Sequence, residues 1–286
     1  MDQYVVAGHP VEHSQSPFIH AEFAKQTAQT LHYGRLLCPL DAFGSTIQGF
    51  ARGSPAGPAR GCNVTVPFKF EAFSLCPRST PRARLAGAAN TLRFDAQGWL
   101  CDNTDGAGLV RDIESGAGFS LAGRAILVVG AGGAAAGVLG PLLASRPAQL
   151  VLANRTLSKA HELVARHAAY AATTGLADGA LRAAALPHCG SGFDVVINAT
   201  ASSLQGAAVP VAPEVLKPGA LAVDLMYGAG AQGFLDWAST HGATPRDGLG
   251  MLVEQAAEAF EFWRGVRPST PAVLAALRVR LATPKT

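Results

Sequence analysis

The sequence predicts an α/β protein of two domains: an N-terminal α/β domain, and a Rossmann-like doubly wound parallel sheet placed before C-terminal helices that return to the first domain. Three observations carry this. Short apolar runs alternate with helix-like segments along most of the 286 residues, a length that suits two cores better than one. From residue 125 onward, the runs Ala125–Val129, Leu150–Ala153, Val195–Asn198 and Leu221–Leu225 are separated by Ala-rich helical segments, the even spacing of a parallel sheet. The end of the chain, Met251–Trp263 and Pro271–Leu281, reads as two helices with no strand between them, so it must pack on something already built. The expected domains are therefore 1–105 with 250–286, and 106–249.

In the first domain the expected strands are Tyr4–Ala7, Tyr33–Leu37, Cys62–Val66 and Ala89–Phe94, and the expected helices Pro17–Gln29, Leu40–Ala51 and Pro67–Leu75. A turn-rich stretch, 53–58, separates the second helix from the third strand. Phe260, Phe262 and Trp263 read as core packing.

Composition narrows the class. Hydrophobic residues make up 49% and charged residues 15%, which fits a globular chain and not a disordered one. The net charge of +3 comes from scattered cations without a polybasic run, so neither nucleic acid nor a membrane surface is an expected partner. Five cysteines with no CxxC pair fit reduced thiols in a cytoplasmic protein. No signal peptide or membrane-length apolar run is read. His9 and His13 stand beside prolines, off any helix face, and no metal site is expected.

The run Ile126-Leu127-Val128-Val129-Gly130-Ala131-Gly132-Gly133-Ala134-Ala135 is a strand flowing into a G-x-G-x-x-A turn and a helix. Gly130 permits the turn, Gly132 lets a pyrophosphate approach the backbone, and the helix N-terminus offers free N–H groups. An NAD site would place Asp or Glu at the end of the next strand. Here stand Asn154-Arg155-Thr156-Leu157-Ser158-Lys159, with no carboxylate. Arg155, Thr156 and Lys159 suit a 2′-phosphate, so NADP is the expected cofactor. The competing reading is that Asn154 or Thr156 caps the helix and the cations are solvated.

Polar clusters mark the first domain. Ser14 and Ser16 flank a helix start at Pro17, where hydroxyls suit a carboxylate, although a plain cap accounts for Ser16 and Pro17. Period-two geometry puts Asn63 and Thr65 on one strand face. Lys69 follows in the first turn of a helix, where the dipole disfavours a cation and a specific partner is implied. Asn90 and the stretch Asp102-Asn103-Thr104-Asp105-Gly106 complete the set, the latter at the domain junction, where Asp105 is either a helix cap or part of a cleft.

Taken together, Ser14-x-Ser16-Pro17, Asn63-Val64-Thr65-Val66-Pro67-Phe68-Lys69, Gly87-Ala88-Ala89-Asn90-Thr91, Asn103-Thr104-Asp105-Gly106, Gly130–Ala134, Asn154-Arg155-Thr156, Asn198-Ala199-Thr200 and Asp247-Gly248-Leu249-Gly250-Met251-Leu252-Val253-x-Gln255 resemble the shikimate dehydrogenase family, in family order. The resemblance implies reversible NADPH-dependent reduction of 3-dehydroshikimate to shikimate in aromatic amino-acid biosynthesis, by a monomer or homodimer. It makes Lys69 and Asp105 the catalytic pair. Ser14, Ser16, Thr65 and Tyr227 would face the substrate carboxylate, and Asn63, Asn90, Asp105 and Gln255 the ring hydroxyls. Gly130, Ala131, Gly132, Gly133, Ala134, Asn154, Arg155, Thr156, Lys159, Thr200, Met226 and Gly248 would hold the cofactor. Two positions depart from the family pattern: Ala136 stands where relatives often have Arg, and Ala201-Ser202-Ser203-Leu204 replaces a Ser-Ser-Gly type of loop. The alternatives are a dual quinate/shikimate dehydrogenase and a non-catalytic NADP-binding regulator.

Overall fold

A computed structural model describes residues 1–53, 55–200 and 209–282. The chain divides into two compact units, Met1–Gly108 with Val253–Thr286, and Leu109–Leu252.

The first unit contains β1 (Asp2–Gly8), α1 (Ser16–Gln26), β2 (Leu31–Leu37), α2 (Phe43–Ala51), β3 (Ala59–Val64), α3 (Lys69–Ser74), β4 (Arg78–Ser79), α4 (Pro81–Ala86), β5 (Thr91–Asp95) and β6 (Gly98–Asp102). Its sheet has the order β2-β1-β3-β5-β6-β4. β1 runs parallel to β2 and β3, whereas β3, β5 and β6 pair antiparallel. Both faces are covered, which explains why consecutive residues of β1 are all buried. Val5 and Ala7 join Cys62, Val64, Leu92 and Phe94 under Phe43 and Phe68, whereas Tyr4 and Val6 face the other way, with Tyr33 and Trp263.

α5 (Asp105–Arg111) leads into the second unit, where β7 (Ala125–Val129), α6 (Gly133–Ala144), β8 (Gln149–Asn154), α7 (Leu157–Thr173), β9 (Leu181–Ala185), β10 (Phe193–Asn198), β11 (Leu216–Asp224), α8 (Ala229–Thr240) and β12 (Thr244–Arg246) follow. The six strands are parallel in the order β12-β11-β10-β7-β8-β9, the doubly wound arrangement, whose direction of winding reverses between β7 and β10. α9 (Leu249–Arg264) and α10 (Pro271–Ala282) end the chain.

The tail does return to the first unit. Phe260 meets the Phe23 ring edge-on at 5.8 Å, Trp263 lies 4.7 Å from the Tyr4 ring, and its indole N–H donates to the Leu92 carbonyl at 2.9 Å. Arg264 bonds Asp2 and Gln29. No helix among the described residues is long and apolar enough to cross a membrane.

Several elements differ from the expected ones. The third strand ends at Val64, not Val66. Its alternation continues, but Pro67 has no N–H to donate and the chain turns, with the Phe68 N–H donating to the Thr65 carbonyl at 3.1 Å. Strands β4, β6, β9 and β12 carry too few apolar residues, or too helix-like a composition, to stand out in the sequence. α4 was not expected either; it is bounded by local caps, since Thr80 accepts from the Ala83 N–H, Pro81 opens the helix and Gly87 closes it.

Candidate active site

The centre of the first unit is a buried ion pair. Lys69, the first residue of α3, donates from Nζ to Asp105 Oδ2 at 2.6 Å, with 13% and 5% of the two side chains exposed. Buried pairs add little to stability once desolvation is counted, so such a pair points towards chemistry. The other Asp105 oxygen lies 2.9 Å from Asn90 Nδ2, which is also 2.8 Å from Thr104 Oγ1 and 3.1 Å from Gln255 Oε1. Residues 165 positions apart thus meet because α9 packs closely on α5. A Cβ at Gly108 would come within 2.6 Å of the Gln255 backbone nitrogen, so a residue without one is required there.

The network runs on from Asn90. Thr91 Oγ1 is 3.0 Å from Asn90 Oδ1 and accepts from Asn63 Nδ2 at 3.0 Å. Asn63 Oδ1 accepts from the Tyr33 hydroxyl at 2.7 Å. Burial pushes the Tyr33 phenol well above its ordinary range, with the charge of Cys62 adding to this and a hydrogen bond from Ser16 opposing it. Behind Tyr33 the His20 ring stacks at 4.2 Å. Burial pushes its pKa down to about 3 against a weaker pull from Asn63, and among the described residues neither ring nitrogen has a partner of hydrogen-bonding geometry.

The serine cluster differs from its expected capping geometry. Ser16 is the first helical residue and not the cap; its N–H donates to Ser14 Oγ at 3.3 Å, and the two hydroxyls lie 3.2 Å apart. Ser14 therefore serves the helix start, and the buried Ser16 hydroxyl accepts from it. Arg35 fixes Ser14 by donating to its carbonyl at 2.7 Å. Thr65 lies just past β3, half-buried, its N–H held by the Ala7 carbonyl at 2.9 Å.

In the second unit, the glycine turn stands where the winding reverses. Gly130 has φ +111°, and a Cβ there would crowd Ala199 and Thr200 at 3.1 Å. Gly132 precedes Gly133 and Ala134, the first residues of α6, whose initial N–H groups have no acceptor within the helix. Ala131 is buried beside them, and Ala136 is fully buried. Thr200 donates from Oγ1 to Asn198 Oδ1 at 2.7 Å, Asn198 donates to Asp224 Oδ2 at 2.9 Å, and Asp224 Oδ1 accepts the Met226 N–H at 2.8 Å. The Gly248 N–H donates to the Met226 carbonyl at 2.8 Å. One buried carboxylate, Asp224, thus organises the ends of two adjacent strands. Tyr227 follows Met226, half-buried.

Past β8, Asn154 donates to the Thr156 carbonyl at 2.9 Å, and Arg155, Thr156 and Lys159 are exposed. Thr156 occupies the cap position of α7, yet among the described residues its side chain makes no capping bond. The hydroxyl and both cations are exposed, and residues 154–159 include no carboxylate, so the donor set fits a phosphorylated ribose. The departure at Ala201–Leu204 lies outside the described residues.

Three residues that shape this site escaped sequence reasoning: Tyr33, His20 and Asp224. A buried aromatic or carboxylate looks the same in sequence as a surface one; Asp102 had a signal in its adjacency to Asn103-Thr104-Asp105.

Comparison with known proteins agrees with this geometry. Residues 6–92 match the shikimate dehydrogenase substrate binding domain, 113–219 the shikimate / quinate 5-dehydrogenase domain, and 248–278 the shikimate 5'-dehydrogenase C-terminal domain. The chain is 67% identical over 279 residues to the shikimate dehydrogenase (NADP(+)) of Methylibium petroleiphilum, covering 97% of this chain and 94% of that one. Among solved structures it is similar to an Ael1 enzyme from Pseudomonas putida, at 42% identity and TM-score 0.84 over 99% of each chain. It is also similar to the shikimate 5-dehydrogenase of Thermus thermophilus in complex with NADP(H) and shikimate, at 29% identity and TM-score 0.81 over 98% of this chain and 100% of that one. The chain belongs to the shikimate dehydrogenase family.

Proposed function

We propose that this protein is an NADP-dependent shikimate dehydrogenase, reducing 3-dehydroshikimate reversibly to shikimate in aromatic amino-acid biosynthesis. The observation that carries the reading is the Lys69–Asp105 pair, 2.6 Å apart inside a cradle of Asn90, Thr104 and Gln255. A small polyhydroxylated acid needs such short donors and acceptors, because a site built to pair hydroxyls rejects analogues that leave its buried groups unmatched.

The roles follow from the chemistry of each group. Lys69 holds the proton that the substrate's carbonyl oxygen takes up on reduction, and receives it back in oxidation. Asp105 orients that ammonium and accepts from a ring hydroxyl. Asn90, Asn63 and Gln255 pair the remaining hydroxyls, and Ser14, Ser16, Thr65 and Tyr227 take the carboxylate. NADPH, when bound, supplies the hydride equivalent. Gly130, Ala131, Gly132, Gly133 and Ala134 would receive its pyrophosphate, Asn154, Arg155, Thr156 and Lys159 the 2′-phosphate, and Thr200, Met226 and Gly248 line the remainder. By this reading 1–105 with 250–286 is the substrate domain and 106–249 the cofactor domain.

A silent regulator would have no use for a sequestered ammonium–carboxylate pair. The deciding experiment follows nicotinamide absorbance with shikimate and quinate, each with NADP and NAD. Turnover is expected to be fastest with shikimate and NADP; no turnover with that combination sinks the proposal. Five free cysteines, four of them buried, support a reducing cytoplasmic setting. Light scattering separates the monomer from the homodimer.

A further inference from the structure

We propose that Arg82, acting through Asp102, is a positioning residue for the Lys69–Asp105 pair. The inference rests on the assignment of that pair as the reacting groups. Asp102 closes β6, and Asp105 opens α5 three residues later. The Asp102 side chain is 2% exposed, and four donors converge on it. Arg82 grips both oxygens, Nε at 2.7 Å and Nη2 at 2.5 Å, while Thr80 Oγ1 at 2.6 Å and the Asn103 N–H at 2.8 Å complete Oδ1.

The remaining Arg82 nitrogen, Nη1, reaches Glu258 Oε2 at 3.2 Å. Glu258 stands one helical turn beyond Gln255 on α9. A single guanidinium therefore ties α4 to the end of β6, from which the chain runs on to Asp105, and to α9, which carries Gln255. Asn103 passes the constraint on: its side-chain amide donates to the Ala88 carbonyl at 3.0 Å, and its Oδ1 accepts the Asp105 N–H at 3.2 Å. The Asn90 N–H, for its part, donates to the Asp102 carbonyl at 3.1 Å. Asn90, which bonds the Asp105 carboxylate beside Lys69, and Gln255, which accepts from Asn90, are thus registered against the same buried anchor.

Hydrophobic side chains in place of a buried ion pair commonly preserve stability. The fork geometry answers to position instead, since a planar guanidinium fixes two oxygens and a third partner at once, and a lysine cannot. Burial acts to lower the Arg82 pKa, but hydrogen bonds and charge from Asp102 and Glu258 raise it overall, so the anchor keeps its charge over the working range.

The test uses the full chain with three changes: Arg82→Lys, Arg82→Met, and Arg82→Met combined with Asp102→Asn. The combination leaves no unpaired buried charge should Arg82→Met alone fail to fold. In the methionine proteins, kcat for shikimate oxidation is expected to fall by about 10- to 100-fold, as misplacement of a reacting group does. The KM for NADP should stay within about twofold, and the limb of the pH–rate profile that reports the Lys69–Asp105 pair should move. Arg82→Lys should recover part of the rate. A parental kcat and pH profile in the methionine proteins overturns the proposal. So does a loss of turnover that tracks the folded fraction while the profile stays in place. Turnover retained in Lys69→Ala would instead remove the site assignment beneath it.

Discussion

The two units solve binding in opposite ways. In the first, the candidate site is built from side chains: Asn63, Asn90, Thr104, Asp105 and Gln255 are buried and joined by hydrogen bonds centred on Asn90. In the second, it is built from backbone and from exposed ends: a glycine turn, helix N–H groups, and the side chains of Arg155, Thr156 and Lys159. A preformed polar cradle is rigid and particular to one ring, because every group has a fixed direction. A helix N-terminus with surface cations suits any phosphate of the right span and depends little on exact placement. Loss of one group should therefore be severe in the first unit and graded in the second.

The largest effect expected is at the ion pair. Lys69→Ala should lower kcat by about 1,000-fold, with NADP affinity unchanged by fluorescence titration. A rate within a few-fold of the parent would remove Lys69 from the chemistry. Asn90→Ala comes next. It leaves Asp105, Thr104 and Gln255 short of a partner in a buried setting, a cost of about 1–3 kcal/mol per unmatched group. A fall of about 100-fold in kcat/KM for shikimate is expected, with the KM for NADP unmoved; a fall shared equally by both ligands would break the division between the units.

On the other side, Arg155→Ala should raise the KM for NADP by about 5- to 10-fold, the smaller figure reflecting solvent screening of an exposed contact, while the KM for shikimate and the rate with NAD stay put. A change in both KM values would contradict the phosphate assignment.

The smallest effect separates the units by acid. Two buried histidines have folded pKa values below their ordinary one, through burial: His20 in the first unit, at about 3, and His167 in the second, less strongly. Since folding opposes their protonation, stability is fully present above pH about 6.5 and declines as the pH falls below it. For His20 the decline continues towards pH about 3. Melting temperature should drop between pH 7.5 and pH 5, and His20→Phe, which keeps the stack on Tyr33, should flatten that drop more than His167→Phe does. Equal slopes in both would contradict the ranking.

Legibility in the sequence differed along the same line. The second unit could be read almost element by element, because parallel strands buried on both faces leave unbroken apolar runs and because its motif is local: turn, helix and phosphate contacts lie within about 30 residues. Its misses are β12, only three residues long, and β9, Leu-Arg-Ala-Ala-Ala, which carries helix composition in a strand position. In the first unit, strand β3 was found with its end misplaced by Pro67, and Ser16, expected as the cap, is the first helical residue, its N–H taken by Ser14. Lys69 stood out by sitting against the helix dipole. Asp102 was marked by the polar stretch it opens, but its partner Arg82 was not, because an ion pair between residues twenty positions apart has no local pattern.

What the sequence determined unaided was local and periodic: two α/β domains, a glycine turn between strand and helix, a strand end without a carboxylate, and a set of polar motifs in family order. Tertiary structure alone decided which of those polar groups meet. Asn90 and Gln255, Arg82 and Glu258, Tyr33 and Asn63 are brought together by sheet order and by helix contact at Gly108. Hydrogen bonding acts over about 3 Å, so it is blind to distance along the chain and depends only on where packing has carried each atom.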